Sequence, residues 1–148
     1  MEVQKVLLTK TICCVENRFE FSKTSKSRLR TCHPDLKLIM ECALAFSEID
    51  FGIAEGHRSV ERQKKLFAEG KSQLDGVRKK SKHNIKPSMA VDIYAWVDGR
   101  ASWEPEHLSR IAKTVKFVAV QLGGKISHSL RWGGDWQSFV DMPHFELV

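Results

Sequence analysis

The chain has 148 residues, a formal net charge of +6 and a pI near 9.3, the size of one ordinary domain with room for a hydrophobic core that needs no disulfides. With 42% hydrophobic and 28% charged residues the composition excludes a long disordered region. Its longest apolar stretches, Leu36 to Met40 and Val115 to Leu122, are too short or too interrupted to span a bilayer. The positive charge predicts attraction to polyanions without choosing among nucleic acid, anionic lipid and an acidic cell wall.

Residues 1–19 show little periodicity, and Phe19, Phe21 and the basic run from Ser22 to Arg30 read as an exposed lead-in. The apolar run Val6 to Leu8 lacks the hydrophobic region and cleavage site of a secretory signal, so synthesis and folding in the cytoplasm are expected. Cys13, Cys14, Cys32 and Cys42 have no C-x-x-C spacing and are expected to be reduced thiols used in packing. Pro34 suits a first helical turn, and Leu36, Ile39, Met40, Ala43 and Leu44 recur at helical spacing up to Ser47. Asp50 to Ala54 reads as a short strand, closed by Gly56 with His57 and Arg58 just beyond. Ser59 is the expected N-cap of a helix running to Ala68 or Glu69, stopped by Gly70. Arg58 therefore falls in a strand-to-helix turn.

Lys71 to Ser88 is polar and shows neither period, which predicts a long loop with a function, and it contains His83. Met89 to Ala95 alternates as a strand that places Asp92 opposite Val91 and Ile93. Pro105 opens the strongest helix, with Leu108, Ile111, Ala112, Val115, Val118, Ala119 and Leu122 on one stripe before Gly123. Leu130 to Trp132 and Pro143 to Leu147 read as short strands around a Gly-Gly-Asp turn, with His144 and Glu146 on one face and Phe145 and Leu147 on the other.

Three separated segments, Ser81-Lys82-His83, Ala90-Val91-Asp92 and Asp141-Met142-Pro143-His144, each offer a metal-capable side chain. Taken singly, each residue reads as a surface histidine or a satisfied strand carboxylate. Two histidines and one carboxylate together form a ligand set used by catalytic zinc, with one position left for water. The ordered pattern S-x-H, A-V-D and D-x-x-H followed by an aromatic residue and Glu resembles the D-alanyl-D-alanine carboxypeptidase (VanY-like) superfamily of zinc peptidases. The segments Phe21 to Leu29, His33-Pro34, Asp50-Phe51, Gly56-His57-Arg58-Ser59, Gln63, Ser81 to Asp92 and Trp132 to Leu147 resemble its phage L-alanyl-D-glutamate endopeptidase (endolysin) branch, over about residues 20–148.

That resemblance implies one Zn²⁺ per chain held by His83, Asp92 and His144, with Asp141 as general base and Arg58 facing the substrate carbonyl. It implies an α+β fold, a small antiparallel sheet with packed helices of the Hedgehog/D,D-peptidase-like kind, forming a single zinc peptidase domain over residues 1–148. The expected substrate is the L-alanyl-D-glutamate bond of bacterial peptidoglycan, cut by a monomer that binds no nucleic acid, inserts in no membrane and reaches the wall after release from the host cytoplasm. Ser81 is expected to orient the His83 loop by a hydrogen bond, and Glu146 to hold a ligand histidine. The alternatives are a D-alanyl-D-alanine carboxypeptidase with the same ligands, and a basic nucleic-acid-binding module without catalysis.

This chain departs from the commonest family pattern in three places. Pro87 and Ser88 lengthen the gap between His83 and Asp92, a form that also occurs in the phage branch. His57 stands where relatives often have an aromatic residue, and Asp141 where many have Glu. Trp132 and Trp136 are read as cleft-lining or core residues. His33, His107 and His128 have no partner at ligand spacing and are expected to be structural or on the surface.

Overall fold

The computed structural model describes residues 19–148. Cys13, Cys14, the Val6 to Leu8 run and nearly all of the lead-in lie outside the described residues. The first described helix, α1 (Lys23–Leu29), corrects in part the reading of Ser22 to Arg30 as exposed: Ser22 caps it by accepting the Ser25 N–H at 3.1 Å, and Phe21, Ser25 and Leu29 are buried while the basic side chains are exposed. Ser25 Oγ accepts the Ile53 N–H at 3.0 Å, which ties the helix to the neighbouring strand through a polar contact that hydrophobic periodicity does not register.

The remaining elements follow in chain order: α2 (Pro34–Phe46), β1 (Asp50–Glu55), α3 (Val60–Ala68), β2 (Ala90–Val97), β3 (Arg100–Ser102), α4 (Pro105–Gln121), β4 (Leu130–Trp132) and β5 (His144–Leu147). Each starts or stops for a local reason. Pro occupies the first turn of α2 and of α4, and Ser59 caps α3 by accepting the Arg62 N–H at 3.2 Å. β3 is a strand beyond those expected from periodicity, and Asp98-Gly99, with φ of 53° and 75°, supplies the left-handed pair that a tight hairpin requires.

The sheet is antiparallel with β1, β2, β5 and β4 in that order, and β3 pairs with the far end of β2. One face is the core: Phe51 and Ile53 of β1, Val91, Ile93 and Ala95 of β2 and Phe145 and Leu147 of β5 meet Leu36, Ile39 and Met40 of α2 and Leu108, Ile111 and Val115 of α4. Burying such side chains fully is worth about 1.5–3 kcal/mol each. The register pairs Asp92 directly with His144, so alternation brings both onto the opposite, open face. The fold thus sets a carboxylate beside an imidazole as a consequence of packing Val91, Ile93, Phe145 and Leu147 inward.

Candidate metal centre

His83 reaches the open face from a short 3₁₀ turn, Lys82–Asn84, at the end of the long polar loop. Ser81 caps that turn by accepting the His83 N–H at 3.2 Å, while Asn84 Oδ1 accepts the Ser81 N–H at 2.9 Å. The added Pro87-Ser88 segment is also anchored. Ser88 is buried, donates its N–H to Thr31 O at 2.9 Å and accepts the His33 N–H at 2.8 Å.

The three side chains converge: His83 Nε2 is 3.2 Å from Asp92 Oδ1 and 3.2 Å from His144 Nδ1, and His144 Nδ1 is 3.1 Å from Asp92 Oδ1. Their outer atoms are fixed from behind. A carbonyl only accepts, so His83 Nδ1 carries a proton and donates it to Gly56 O at 2.7 Å. His144 Nε2 likewise donates to Glu146 Oε2 at 3.0 Å, and Glu146 is held by Arg131 at 2.8 Å. In neutral imidazoles both inward nitrogens therefore present lone pairs to a carboxylate oxygen. Three acceptors so close repel one another unless a proton or a cation lies among them, and tetrahedral zinc keeps its ligand atoms about 3.3 Å apart. The donor set fits a zinc ion, with outer partners of the kind that orient metal ligands.

The electrostatics agree. Burial works to raise the Asp92 carboxyl, but the adjoining His83 and His144 rings hold it well below the usual carboxylate range. Burial works against charge on His144, yet its hydrogen bonds to Asp92 and Glu146 push it up to about 9. A proton on His144 thus takes the place of a cation when no metal is bound.

Arg58 is buried behind Asp92. Its Nη2 donates to Glu55 Oε2 at 2.8 Å and to Asp92 Oδ2 at 3.3 Å, its Nη1 donates to Gln63 Oε1 at 2.9 Å, and its buried Nε–H has no partner among the described residues. Gln63 is fully buried and donates onward to Ser72 Oγ at 2.9 Å and Leu74 O at 2.7 Å, joining the long loop to this network. Gln63 and Asn84 fall in segments that carry the family resemblance, but no motif assigns them or Glu55 this bracing role. Glu55 could have been found from strand register, because it pairs with Asp92 across a bulge.

Asp141 follows the Gly133–Asp135 turn, and its N–H donates to Gly133 O at 3.0 Å. A Cβ on Gly133 would stand 2.3 Å from Asp141 O, so only glycine allows this approach. Burial first, and then the charge of Asp92, push the Asp141 carboxyl above its ordinary value. All five residues line one cleft of about 800 Å³, whose rim carries Arg62, Lys71, Lys80, Lys82 and Arg131. Trp136 lines the cleft with its ring 5.1 Å from the His144 ring, whereas Trp132 stacks on Phe145 and donates to Met142 O at 2.7 Å as a packing residue.

One sequence expectation about histidines is corrected. His33 and His128 do have a partner, since both gather on Asp35 in a second His, Asp and His group among the described residues. His107 pairs with Ser102 Oγ at 2.9 Å, and His57 takes no part in either group.

The chain is similar to known proteins. Residues 17–148 match the family model for phage L-alanyl-D-glutamate peptidase. The chain is 29% identical over 126 residues to the peptidoglycan L-alanyl-D-glutamate endopeptidase CwlK of Bacillus subtilis (strain 168), covering 78% of this chain and 73% of that protein. Its fold is similar to the solved structure of the Serratia marcescens L-Ala D-Glu endopeptidase ChiX, with a TM-score of 0.73 and 32% identity over 90% of this chain and 93% of that one.

Proposed function

The chain belongs to the phage L-alanyl-D-glutamate peptidase family, and from that premise we propose that His83, Asp92 and His144 hold one catalytic zinc ion per chain, with Asp141 as general base and Arg58 as the substrate-facing cation. Membership makes the protein a hydrolase of the L-alanyl-D-glutamate bond in peptidoglycan. The observation that carries the assignment of residues is the convergence of three donor atoms within 3.1–3.2 Å, from three distant segments, at the floor of a cleft that Asp141 and Arg58 also line.

When bound, zinc supplies a Lewis acid that lowers the pKa of water toward about 7 and polarises a carbonyl oxygen. The protein's own groups do the rest. Asp141, whose carboxyl burial and then the charge of Asp92 push above its ordinary value, takes the proton of the attacking water and returns it to the departing D-glutamyl nitrogen. Arg58 has three N–H bonds committed to Glu55, Asp92 and Gln63, which hold the guanidinium still in the cleft wall, where its positive charge favours the negative charge that develops on the carbonyl oxygen. Glu146 and Gly56 O fix the ligand rings.

The reading extends to the whole chain as a single zinc peptidase domain that works as a monomer, binds no nucleic acid and meets the wall after release from the host cytoplasm. Among the described residues no helix is long and apolar enough to cross a membrane. The test is digestion of purified peptidoglycan alongside the zinc-to-protein ratio. A new N-terminal D-glutamyl amine, released in proportion to bound zinc, is the expected product. Free D-alanine as the main product would transfer the site to carboxypeptidase chemistry, and full activity in chelator-stripped protein would remove zinc from it.

A further inference from the structure

The open face of β2 does not end at Asp92. Alternation places Tyr94 and Trp96 on that same face, about 7 Å and about 14 Å further along the strand. Trp103, just past β3, closes on Tyr94 from the side: ring centroids are 6.2 Å apart for Tyr94 and Trp103 and 6.4 Å for Tyr94 and Trp96. None of the three belongs to the hydrophobic core among the described residues, and Trp96 and Trp103 are 45% and 56% exposed. Opposite Tyr94 stands Gly52, where a Cβ would be 2.3 Å from the phenol ring, so the ring lies across bare backbone. The result is a row of aromatic surfaces leading away from the metal ligands.

The substrate's chemistry says what belongs there. In peptidoglycan the L-alanine of the scissile bond is joined directly to the lactyl group of muramic acid, so a single residue, about 3.5 Å of extended chain, separates the bond from the sugar's acyl arm. An enzyme that seats this bond on the ligand face of β2 brings the sugar close to that face. Sugar rings have apolar C–H faces that lie well on indole and phenol rings, which bring large rigid area at little cost in entropy.

Resting on the reading of the site given above, we propose that Tyr94, Trp96 and Trp103 form a stacking strip that holds the glycan strand while the stem peptide lies in the cleft. The strip makes the enzyme prefer stem peptides still attached to sugar.

Two measurements separate this from the catalytic assignment. In calorimetric titration of the zinc-loaded protein with peptide-free glycan strands, Trp96→Ala and Trp103→Ala each weaken binding about fivefold to tenfold, without lowering the melting temperature because both rings are exposed. In hydrolysis assays the same variants raise KM for a disaccharide-linked stem peptide and leave kcat/KM for the free stem peptide unchanged. Absence of glycan binding by the unaltered protein, or equal losses on the sugar-linked and free peptides, would overturn the proposal. So would concentration-dependent dimerisation abolished by Trp96→Ala, which would assign the strip to a second copy of the chain. Glycan binding that depends on both tryptophans in a protein that cleaves neither peptide would uphold the strip and sink the catalytic assignment alone.

Discussion

Two groups of the same composition, His83, Asp92 and His144 on the sheet and His33, Asp35 and His128 at the start of α2, differ in what stands behind and between their rings. In the first, a backbone carbonyl and a carboxylate accept the outer N–H bonds, so in the neutral rings both inner nitrogens are left with lone pairs. In the second, the backbone N–H of Asp35 donates to His33 Nδ1 at 3.0 Å, while Asp35 Oδ2 accepts from Ser127 N at 2.9 Å and His128 Nδ1 at 2.8 Å. The facing atoms there already satisfy one another, capping α2 and clamping the segment after α4 to it. Side-chain exposure follows the same division, 2% and 7% for His83 and His144 against 26% and 28% for His33 and His128. Ligand identity and proximity are thus insufficient; the direction of the hydrogen bonds around each ring separates the proposed metal site from a structural clamp.

The sharpest way to break this comparison is to delete one histidine from each group. His83→Ala is expected to lose zinc and at least about a thousandfold in activity, whereas His128→Ala keeps both; zinc analysis with a hydrolysis assay decides. Equal loss of metal in the two variants would erase the distinction. Asp141→Ala should retain zinc and lose about 10²–10⁴ in kcat, the range of a general base. A variant that lost its zinc together with its activity would instead make Asp141 a ligand. Next in size is the partner behind the ring: Glu146→Gln is expected to weaken zinc binding by about 10–100-fold in a chelator competition, with the fold intact.

Acidity sharpens the same contrast. His144 is pushed up to about 9 from 6.5, so its charge stabilises the metal-free fold fully below pH 6.5, and that contribution is lost as pH rises through about 9. Zinc must expel this proton. Its apparent affinity should therefore rise about tenfold per pH unit between those limits, and a flat profile would mean that the metal-free ring is neutral. The smallest effect belongs to the clamp. Burial works to raise Asp35, but hydrogen bonds from His128 and Ser127 hold it below its ordinary value, so its contribution is present above the unfolded value and lost in acid. Replacement of His128 by Ala should cost about 0.5–1.5 kcal/mol in chemical denaturation and change no kinetic constant.

Much of the fold was legible because it follows local rules. The helix Pro105–Gln121 announced itself by a continuous apolar stripe, and Ser59 and Gly70 bracketed Val60–Ala68 by capping chemistry. The helix Lys23–Leu29 shows little apolar period because it docks through Ser25 Oγ and few apolar residues. The hairpin before Arg100–Ser102 has only its Asp-Gly pair as a signal, since the strand after it is three residues long and too short to show a period. In the site, His83, Asp92, His144 and Asp141 were read from ordered motifs, while Glu55, Gln63 and Asn84 are ordinary polar residues whose importance lies in what they touch.

By itself, the sequence determined which residues have the chemistry to bind a metal and which strands and helices bury their apolar sides, because residue type and periodicity are local properties. Only the tertiary structure decided which of two like groups turns its lone pairs inward and which polar side chains brace it. Hydrogen-bond direction depends on groups brought together from far along the chain, and strand register, set by packing the core, arranges them.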